Sequence, residues 1–267
     1  MKTGFIGFGH MAGAMAKGFI KSGFLRADEI HACASDLDRL SERISNDDIL
    51  SNSASGKVNA LPSPSDVAKA SDIIIIAVKP NQVEAVLSET ADGLDGKIII
   101  SVAFGWDFAR YEELLSDTKH ISIIPNTPCE VLMGMTIMEE KHNLSPDELE
   151  SVEALLTSFG EIEYFSSEKM WLAGELTSCG PAFAAMFIEA LGDAGAKYGI
   201  DQEKAYRIVS QMIAGTGTLQ IETGKLPGKM AEEVATPGGI TIKGVTALRE
   251  ADFHEVVEKA IDAIENR

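Results

Sequence analysis

The chain has 267 residues and a mass of 28.6 kDa, and its 45% of hydrophobic residues can fill a sizeable core, which excludes a disordered or fibrous protein. Lys and Arg number 23 against 41 for Asp and Glu, and the net charge of −18 argues against binding to nucleic acid or anionic membranes. A small anionic ligand is compatible with this charge, because helix N-termini form local positive sites.

The first 165 residues alternate short β-branched runs with segments of helical period. The clear runs are KTGFIGFG, EIHACAS, DIIIIAVKP, GKIIISVAFG and KHISIIPN. This alternation predicts an α/β fold, a parallel sheet with helices on both faces. The unbroken apolar run IIIIAV is typical of a strand buried on both sides, so we expect it at the centre of the sheet.

Further segments complete this part of the chain. The polar residues 37–65 predict a helix after Asp36 and then a surface connection with a weak strand near residues 58–61. The Ser-Pro pair at 145–146 predicts the start of another helix. The run EIEYF after that helix predicts a last strand, which ends near Phe165.

Residues 166–267 show helical spacing and no strand pattern. They predict a separate all-helical domain after an α/β domain of residues 1–165. We expect the segment SEKMWLAGELTSCGPAFAAMFIEALGDAGAKYG to form its first helix, which is apolar on most sides. Such a helix is buried by its own domain or by another chain, and we favour a homo-oligomer.

The cysteines and the apolar runs indicate the compartment. Cys33, Cys129 and Cys179 lie far apart without a CxxC pair, which favours a reducing environment. The N-terminal sequence has no pattern of a secretion signal, and the longest apolar run, residues 73–78, is far short of a membrane span. We therefore expect a soluble cytoplasmic protein.

A glycine pattern follows the first strand. Gly7, Gly9 and Ala12 satisfy the GxGxxG/A dinucleotide motif, with His10 and Met11 between them, in the required place between a strand and a helix. Gly7 permits the tight turn, Gly9 lets the backbone approach a diphosphate, and Ala12 keeps the helix close to the sheet. The alternative is a glycine-rich turn without a ligand.

The end of the second strand gives a divided prediction about the cofactor. Asp36 favours NAD, because a carboxylate there bonds the ribose 2′-OH. Ser35 and Arg39 favour NADP, because they can hold its 2′-phosphate. Asp36 is alternatively only the N-cap of the following helix.

Loops after the fourth and sixth predicted strands should line the nicotinamide half of a dinucleotide site, because open α/β sheets bind ligands at this edge. Their candidate residues are Val78, Lys79, Pro80 and Asn126. Lys79 is alternatively a solvated surface charge, and Asn126 a turn residue.

The segment TPGGIT at 236–241 predicts a small-anion site. Thr236 as N-cap and Pro237 at the first helical position would open a helix, Gly238 and Gly239 would offer free N–H groups, and Thr241 would present a hydroxyl one turn in. The alternative is an ordinary loop between helices. No metal is predicted, since the histidines and cysteines show no ligand spacing, and GxSxG and Walker A patterns are missing from the sequence.

Six motifs follow one another along essentially the whole chain: GFIGFGHMAGAM at the start, AVKP at 77–80, SVAFG at 101–105, PNTP at 125–128, SCGPAF at 178–183 and TPGGITIKGV at 236–245. In their order and spacing they resemble the Δ1-pyrroline-5-carboxylate reductase family. The resemblance implies an N-terminal Rossmann domain, an all-helical dimerisation domain and an active site completed at the dimer interface. It also implies hydride transfer from NADPH or NADH to the cyclic imine 1-pyrroline-5-carboxylate, giving proline.

The resemblance also assigns residues. It places substrate carboxylate and amine contacts on Thr236, Gly238, Gly239 and Thr241, substrate and nicotinamide contacts on Ser178, Cys179, Gly180 and Pro181, and a cofactor contact on Ala103. The Thr241 hydroxyl would hold the ring nitrogen, which makes it the predicted catalytic residue. This chain departs from the family at His10, Phe104 and Cys179, where the family usually has Asn, Ala and Ser.

Other functions remain as alternatives to this one. A β-hydroxyacid dehydrogenase would carry a lysine on the first helix of its second domain, but residues 173–192 contain none. The substitutions at Phe104 and Cys179 leave room for a reductase of another cyclic imine acid. A noncatalytic NAD(P)-binding redox sensor is a third alternative.

Overall fold

The computed structural model describes residues 1–51 and 56–266, which divide into two compact units. The first is Met1–Pro181 and the second begins at Ala182. The domain boundary predicted after residue 165 stays a prediction. Residues 52–55 of the predicted surface connection, and Arg267 at the end of the predicted helical domain, lie outside the described residues.

The described part of the first unit contains an eight-stranded sheet in the order β3-β2-β1-β4-β5-β6-β7-β8. The strands are β1 (Thr3–Ile6), β2 (Ile30–Cys33), β3 (Asn59–Ala60), β4 (Ile73–Ile76), β5 (Ile98–Ser101), β6 (Lys119–Ile124), β7 (Gly134–Glu139) and β8 (Gly160–Phe165). Strands β1 to β6 pair in parallel. The α/β prediction is confirmed, and the run IIIIAV supplies β4, which is central and buried throughout.

Strand β7 corrects the prediction of a purely parallel sheet. It pairs antiparallel with β6, with Ile124 opposite Ile137, and the sequence analysis did not predict it. Only residues 125–133 connect the two strands, and so short a connection cannot make the crossover that parallel pairing needs. The next connection contains a helix, and β8 accordingly pairs parallel with β7.

Helices cover both faces of the sheet. They are α1 (His10–Lys21), α2 (Leu37–Ser45), α3 (Pro64–Ala70), α4 (Val83–Thr90), α5 (Phe108–Leu115), α6 (Pro146–Thr157) and α7 (Ser167–Ser178). One apolar cluster joins the sheet to α1, α2 and α6, and a second joins the other face to α3, α4 and α5. Ile73 and Ile75 point into the first cluster, whereas Ile74 and Ile76 belong to the second. Ser145 caps α6 as predicted.

The second unit is helical in its described residues. Its helices are α8 (Gly180–Lys197), α9 (Gln202–Thr223), α10 (Pro227–Val234), α11 (Thr241–Glu250) and α12 (Phe253–Glu265). Gly192 of α8 lies against the ring of Tyr206 of α9, whose hydroxyl donates to Asp193 at 2.7 Å. Large apolar side chains such as Met186 and Ile221 remain exposed. None of the described helices is long and apolar enough to cross a lipid bilayer.

Candidate functional site

An open glycine turn joins β1 to α1. Gly7 has a φ of +90°, and a Cβ atom there would lie 2.7 Å from the carbonyl oxygen of Ala77, so the turn requires glycine. Gly9 is the N-cap of α1, and a Cβ atom built on it meets no described atom within 4 Å. No described side chain caps α1, so its first N–H groups are available to an anion. The turn therefore fits the diphosphate of a dinucleotide.

A groove of about 890 Å³ opens where β1, β2 and β4 end. This is the point at which the strand order reverses, and open α/β sheets bind their ligands there. The predicted cofactor residues that line the groove are Gly7, Gly9, His10, Ser35, Asp36, Arg39, Val78 and Lys79. The structure thus brings together residues from three separate parts of the sequence.

The groove is locally positive. Arg39, Arg43 and Lys79 line it together with two carboxylates, Asp36 and Glu89, so three positive charges face two negative ones in a chain whose net charge is −18. The Asp36 carboxylate accepts the backbone N–H of Arg39 at 2.9 Å and caps α2. Asp36 is therefore an N-cap, and whether this is its only role or it also contacts a ribose stays a prediction.

The remaining predicted cofactor residues do not line the groove in the part of the chain that the structure describes. They are Met11, Ala12, Pro80, Ala103 and Asn126. Met11 and Ala12 lie in the first turn of α1, and Ala103 is buried after β5. The carbonyl oxygen of Pro80 accepts the indole N–H of Trp106 at 3.0 Å, which holds the Lys79-Pro80 loop.

The motif SCGP interrupts the helix that the sequence analysis expected to be continuous. Helix α7 ends at Ser178 and α8 begins at Gly180, with Cys179 between them. The reason is Pro181, which has no N–H to donate to the carbonyl of Thr177 one turn earlier. Ser178 is exposed, Cys179 is half-buried, and their side-chain oxygen and sulfur lie 4.0 Å apart.

Asn126 holds this break in place. Its Nδ2 donates to the carbonyl oxygen of Thr177 at 3.0 Å, and its Oδ1 accepts the backbone N–H of Met135 at 2.9 Å. The side chain is buried, so both bonds are shielded from water. Asn126 therefore satisfies the carbonyl that Pro181 leaves free and ties the end of α7 to β6 and β7. This bridging role was not predicted from the sequence.

The segment 236–241 corrects the predicted helix start. Thr236 is not an N-cap and Pro237 is not in a helix, because α11 begins at Thr241. Gly238 has a φ of +80°, which an α-helix does not allow, and the N–H of Gly239 donates to the Thr236 carbonyl at 3.0 Å. Pro and Gly at the central positions make this a type II turn. Thr241 is exposed at the start of α11.

Other reactive groups of the first unit are buried or dispersed. Burial raises the pKa of the Cys33 thiol to about 11 and that of the Cys129 thiol to about 12, so both stay protonated at neutral pH. In residues 1–51 and 56–266, His, Cys, Asp and Glu do not form a group of three or more that can hold a metal ion.

Several residues of the groove escaped the sequence analysis. They are Phe8, Arg43, Pro62, Ser63, Pro64, Gln82, Val86 and Glu89, in addition to the ends of the strands. Arg43 had a usable signal, since it follows Arg39 by four residues and so shares its helix face. Phe8 lies in the glycine turn, whereas the others lie just before or at the start of α3 and just before or on α4. The sequence does not show which faces of these segments meet the groove.

Comparison with known proteins gives the family. A model described as pyrroline-5-carboxylate reductase dimerisation matches residues 167–267, and one described as NADP oxidoreductase coenzyme F420-dependent matches residues 2–105. The pyrroline-5-carboxylate reductase of Treponema pallidum is 36% identical over 268 residues, covering 98% of each chain. This chain belongs to the pyrroline-5-carboxylate reductase family. The predicted Rossmann-type first part and helical dimerisation part are confirmed, and the dimerisation model supports a homo-oligomer.

Further members of this family agree over the whole length. The pyrroline-5-carboxylate reductase of Escherichia coli is 32% identical over 262 residues, covering 97% of this chain and 94% of the relative. The crystal structure of Plasmodium falciparum pyrroline carboxylate reductase, with NADP bound, superposes with a TM-score of 0.84 at 28% identity, covering 98% of this chain and 95% of the other. The similarity therefore extends over both structural units.

Proposed function

We propose that this chain is a pyrroline-5-carboxylate reductase, which reduces the cyclic imine 1-pyrroline-5-carboxylate to L-proline, the last step of proline biosynthesis. The observation that carries the proposal is its full-length similarity to such reductases, at 36% identity to the relative from Treponema pallidum. The open, locally positive groove at the glycine turn supports it independently, because a reductase of this kind must bind a dinucleotide.

We assign NADPH as the cofactor, with NADH as the alternative. NADP is bound in the Plasmodium falciparum relative, and the net positive charge of the groove suits a 2′-phosphate. Ser35 and Arg39 would hold that phosphate, while the N–H groups at the start of α1 would receive the diphosphate. When bound, the cofactor supplies the hydride that adds to the imine carbon.

The substrate contacts are assigned to the turn 236–239 and to Thr241. The N–H of Gly238 would bind the substrate carboxylate, while the N–H of Gly239 closes the turn onto the Thr236 carbonyl. The exposed Thr241 hydroxyl would hold the ring nitrogen. Ser178, Cys179, Gly180 and Pro181 would contact the substrate and the nicotinamide. A protonated imine is already electrophilic, so these residues need only orient it, and a strong general acid is not required.

The same proposal includes the assembly and the location. We assign residues 1–165 to cofactor binding and residues 166–267 to dimerisation and substrate binding, and we propose a homodimer or a larger homo-oligomer. The exposed apolar side chains of α8 and α9 support burial against a second copy. Three free cysteines without a disulfide support a cytoplasmic location.

The test follows the loss of reduced-nicotinamide absorbance with pyrroline-5-carboxylate, with NADPH and NADH run side by side at matched concentrations. Turnover that depends on both substrate and cofactor, and that is faster with NADPH, is the expected result. Saturable cofactor binding without turnover on pyrroline-5-carboxylate would refute the assignment. In that case a panel of other cyclic imine acids would separate a related reductase from a noncatalytic sensor.

A second candidate is a reductase of another cyclic imine acid. Phe104, where the family usually has Ala, lies after β5 with its ring centroid 4.8 Å from that of Trp171 on α7. This aromatic pair adds bulk next to the buried Ala103. Competition between pyrroline-5-carboxylate and its six-membered ring homologue distinguishes the two candidates, since the higher kcat/KM identifies the better substrate.

A further inference from the structure

Arg43 contacts the glycine turn from a neighbouring helix. It lies on α2, and its Nη1 donates to the carbonyl oxygen of Phe8 at 2.7 Å. Its Cζ lies 5.4 Å from the centroid of the Phe8 ring. The side chain is half-buried and also lines the groove. A charged donor thus holds the one peptide that precedes Gly9, the N-cap of α1.

Gly13 makes room for this contact. It lies in the interior of α1, where glycine is a poorer helix former than alanine. A Cβ atom on Gly13 would collide with Nη2 of Arg43. The guanidinium therefore occupies the space that a side chain on α1 would fill, and this gives a reason for a glycine inside the helix.

We propose that Arg43 is a positioning residue, a role that rests on the proposed function. It fixes the peptide between Phe8 and Gly9 and thereby the orientation of the N–H groups that receive the cofactor diphosphate. The peptide is trans and planar, so holding its carbonyl toward Arg43 also fixes the direction of the Gly9 N–H. Because this orientation is fixed before binding, less conformational entropy is lost when an anion binds at the start of α1.

This role differs from that of Arg39. The diphosphate is common to NADPH and NADH, whereas only NADPH carries the 2′-phosphate assigned to Arg39. Loss of the Arg43 side chain should therefore raise the dissociation constants of NADPH and NADH by the same factor. Loss of Arg39 should weaken NADPH selectively, which makes Arg39 the matched comparison on the same face of α2.

The test measures dissociation constants for NADPH and NADH by calorimetric titration of the whole protein without substrate. The variants are Arg43→Met, Gly13→Ala and Arg39→Met, and a urea midpoint is recorded for each. We expect Arg43→Met to raise the dissociation constants of both cofactors by about tenfold, as for the loss of one charge-assisted hydrogen bond. Gly13→Ala should raise the dissociation constants of both cofactors in parallel, by a smaller factor. Its urea midpoint should not fall, because alanine is a better helix former than glycine.

Three results would overturn the proposed role of Arg43. Unchanged affinities in Arg43→Met would overturn the proposal, and so would a loss confined to NADPH, which would make Arg43 a ligand of the 2′-phosphate. If Arg43→Met failed to fold, Gly13→Ala would still test the contact, and unchanged affinities in that variant would overturn it. A wild-type protein that bound neither cofactor would refute the proposed function instead, so the two failures are distinguishable.

Discussion

Replacing Asn126 by alanine should damage catalysis more than stability alone explains. The variant removes the donor to the Thr177 carbonyl and the acceptor of the Met135 N–H, at 3.0 and 2.9 Å. Each bond contributes about 1 kcal/mol net, and a buried group left without a partner costs about 1 to 3 kcal/mol. We expect the free energy of unfolding to fall by about 2 to 4 kcal/mol. Pro181 cannot replace the lost donor, so the end of α7 should shift.

The shift matters because Ser178, Cys179, Gly180 and Pro181, which are assigned to substrate and nicotinamide, follow Thr177 directly. Misplacement of positioning groups by about 1 Å can cost up to about a hundredfold in rate. We therefore expect kcat/KM of Asn126→Ala to fall by about ten- to a hundredfold, mainly through kcat. Urea unfolding at one fixed protein concentration and steady-state kinetics measure the two effects.

Asn143 provides the matched control for this prediction. Its Oδ1 accepts the backbone N–H of His120 at 2.8 Å and its Nδ2 donates to the Thr118 carbonyl at 2.7 Å, so it also bridges two backbone groups. Its Nδ2 donates in addition to Oε1 of Glu112 at 3.1 Å. It lies beside the start of β6, away from the groove. Asn143→Ala should lose a similar stability and keep its kcat. Equal losses of kcat in the two variants would refute the positioning argument.

Three further predictions concern single side chains. Thr241→Ala should lower kcat/KM by about tenfold or more, because a hydrogen bond to a charged group is worth about 1.5 to 3 kcal/mol, whereas Thr241→Ser should keep most activity in the same kinetic assay. Asp36→Ala should lower stability by about 1 kcal/mol through the lost N-cap, whereas Asp36→Asn should keep the cap; a changed NADH/NADPH ratio in Asp36→Asn would show a further contact with the ribose. Burial lowers the pKa of His120 below its ordinary 6.5 despite Glu112 beside it. The contribution of the neutral imidazole to stability is therefore present above pH 6.5 and is lost as pH falls through the folded-state pKa. On acidification, the urea midpoint of the parent should drop more than that of His120→Gln.

Local patterns predicted most of the first unit because its strands and helix caps depend on neighbouring residues. The run IIIIAV reads as a doubly buried strand, and Ser145-Pro146 as a helix start, from a few residues each. Strand β7 was missed because its sequence, GMTIME, has little β-branched content and lies in a connection that looked like a loop. Its direction follows from the length of residues 125–133, which only became informative once both strands were known.

In the candidate site, too, the features that depend on neighbouring residues were predictable from the sequence and the long-range contacts were not. The glycine turn was predictable because the backbone geometry of a few consecutive residues determines where Gly7 and Gly9 are needed. The start of α11 was placed too early because Thr-Pro is a good N-cap pair in isolation, while the positive φ of Gly238 is compatible with a turn and not with a helix. The Asn126 bridge joins residues 51 positions apart, and no local pattern in either motif indicates it.

The two units differ in what they need for stability. The first buries most of its apolar residues in two clusters on either side of a sheet and a smaller one around α7, and this needs no other chain. In the second, Met186 is 66% and Ile221 73% exposed, and the described helices bury few side chains. Exposed apolar area on this scale is typical of an interface. Folding of the second unit should therefore be coupled to association, so that substrate contacts assigned to Thr241 exist only in the assembled protein, whereas the cofactor groove belongs to each chain separately.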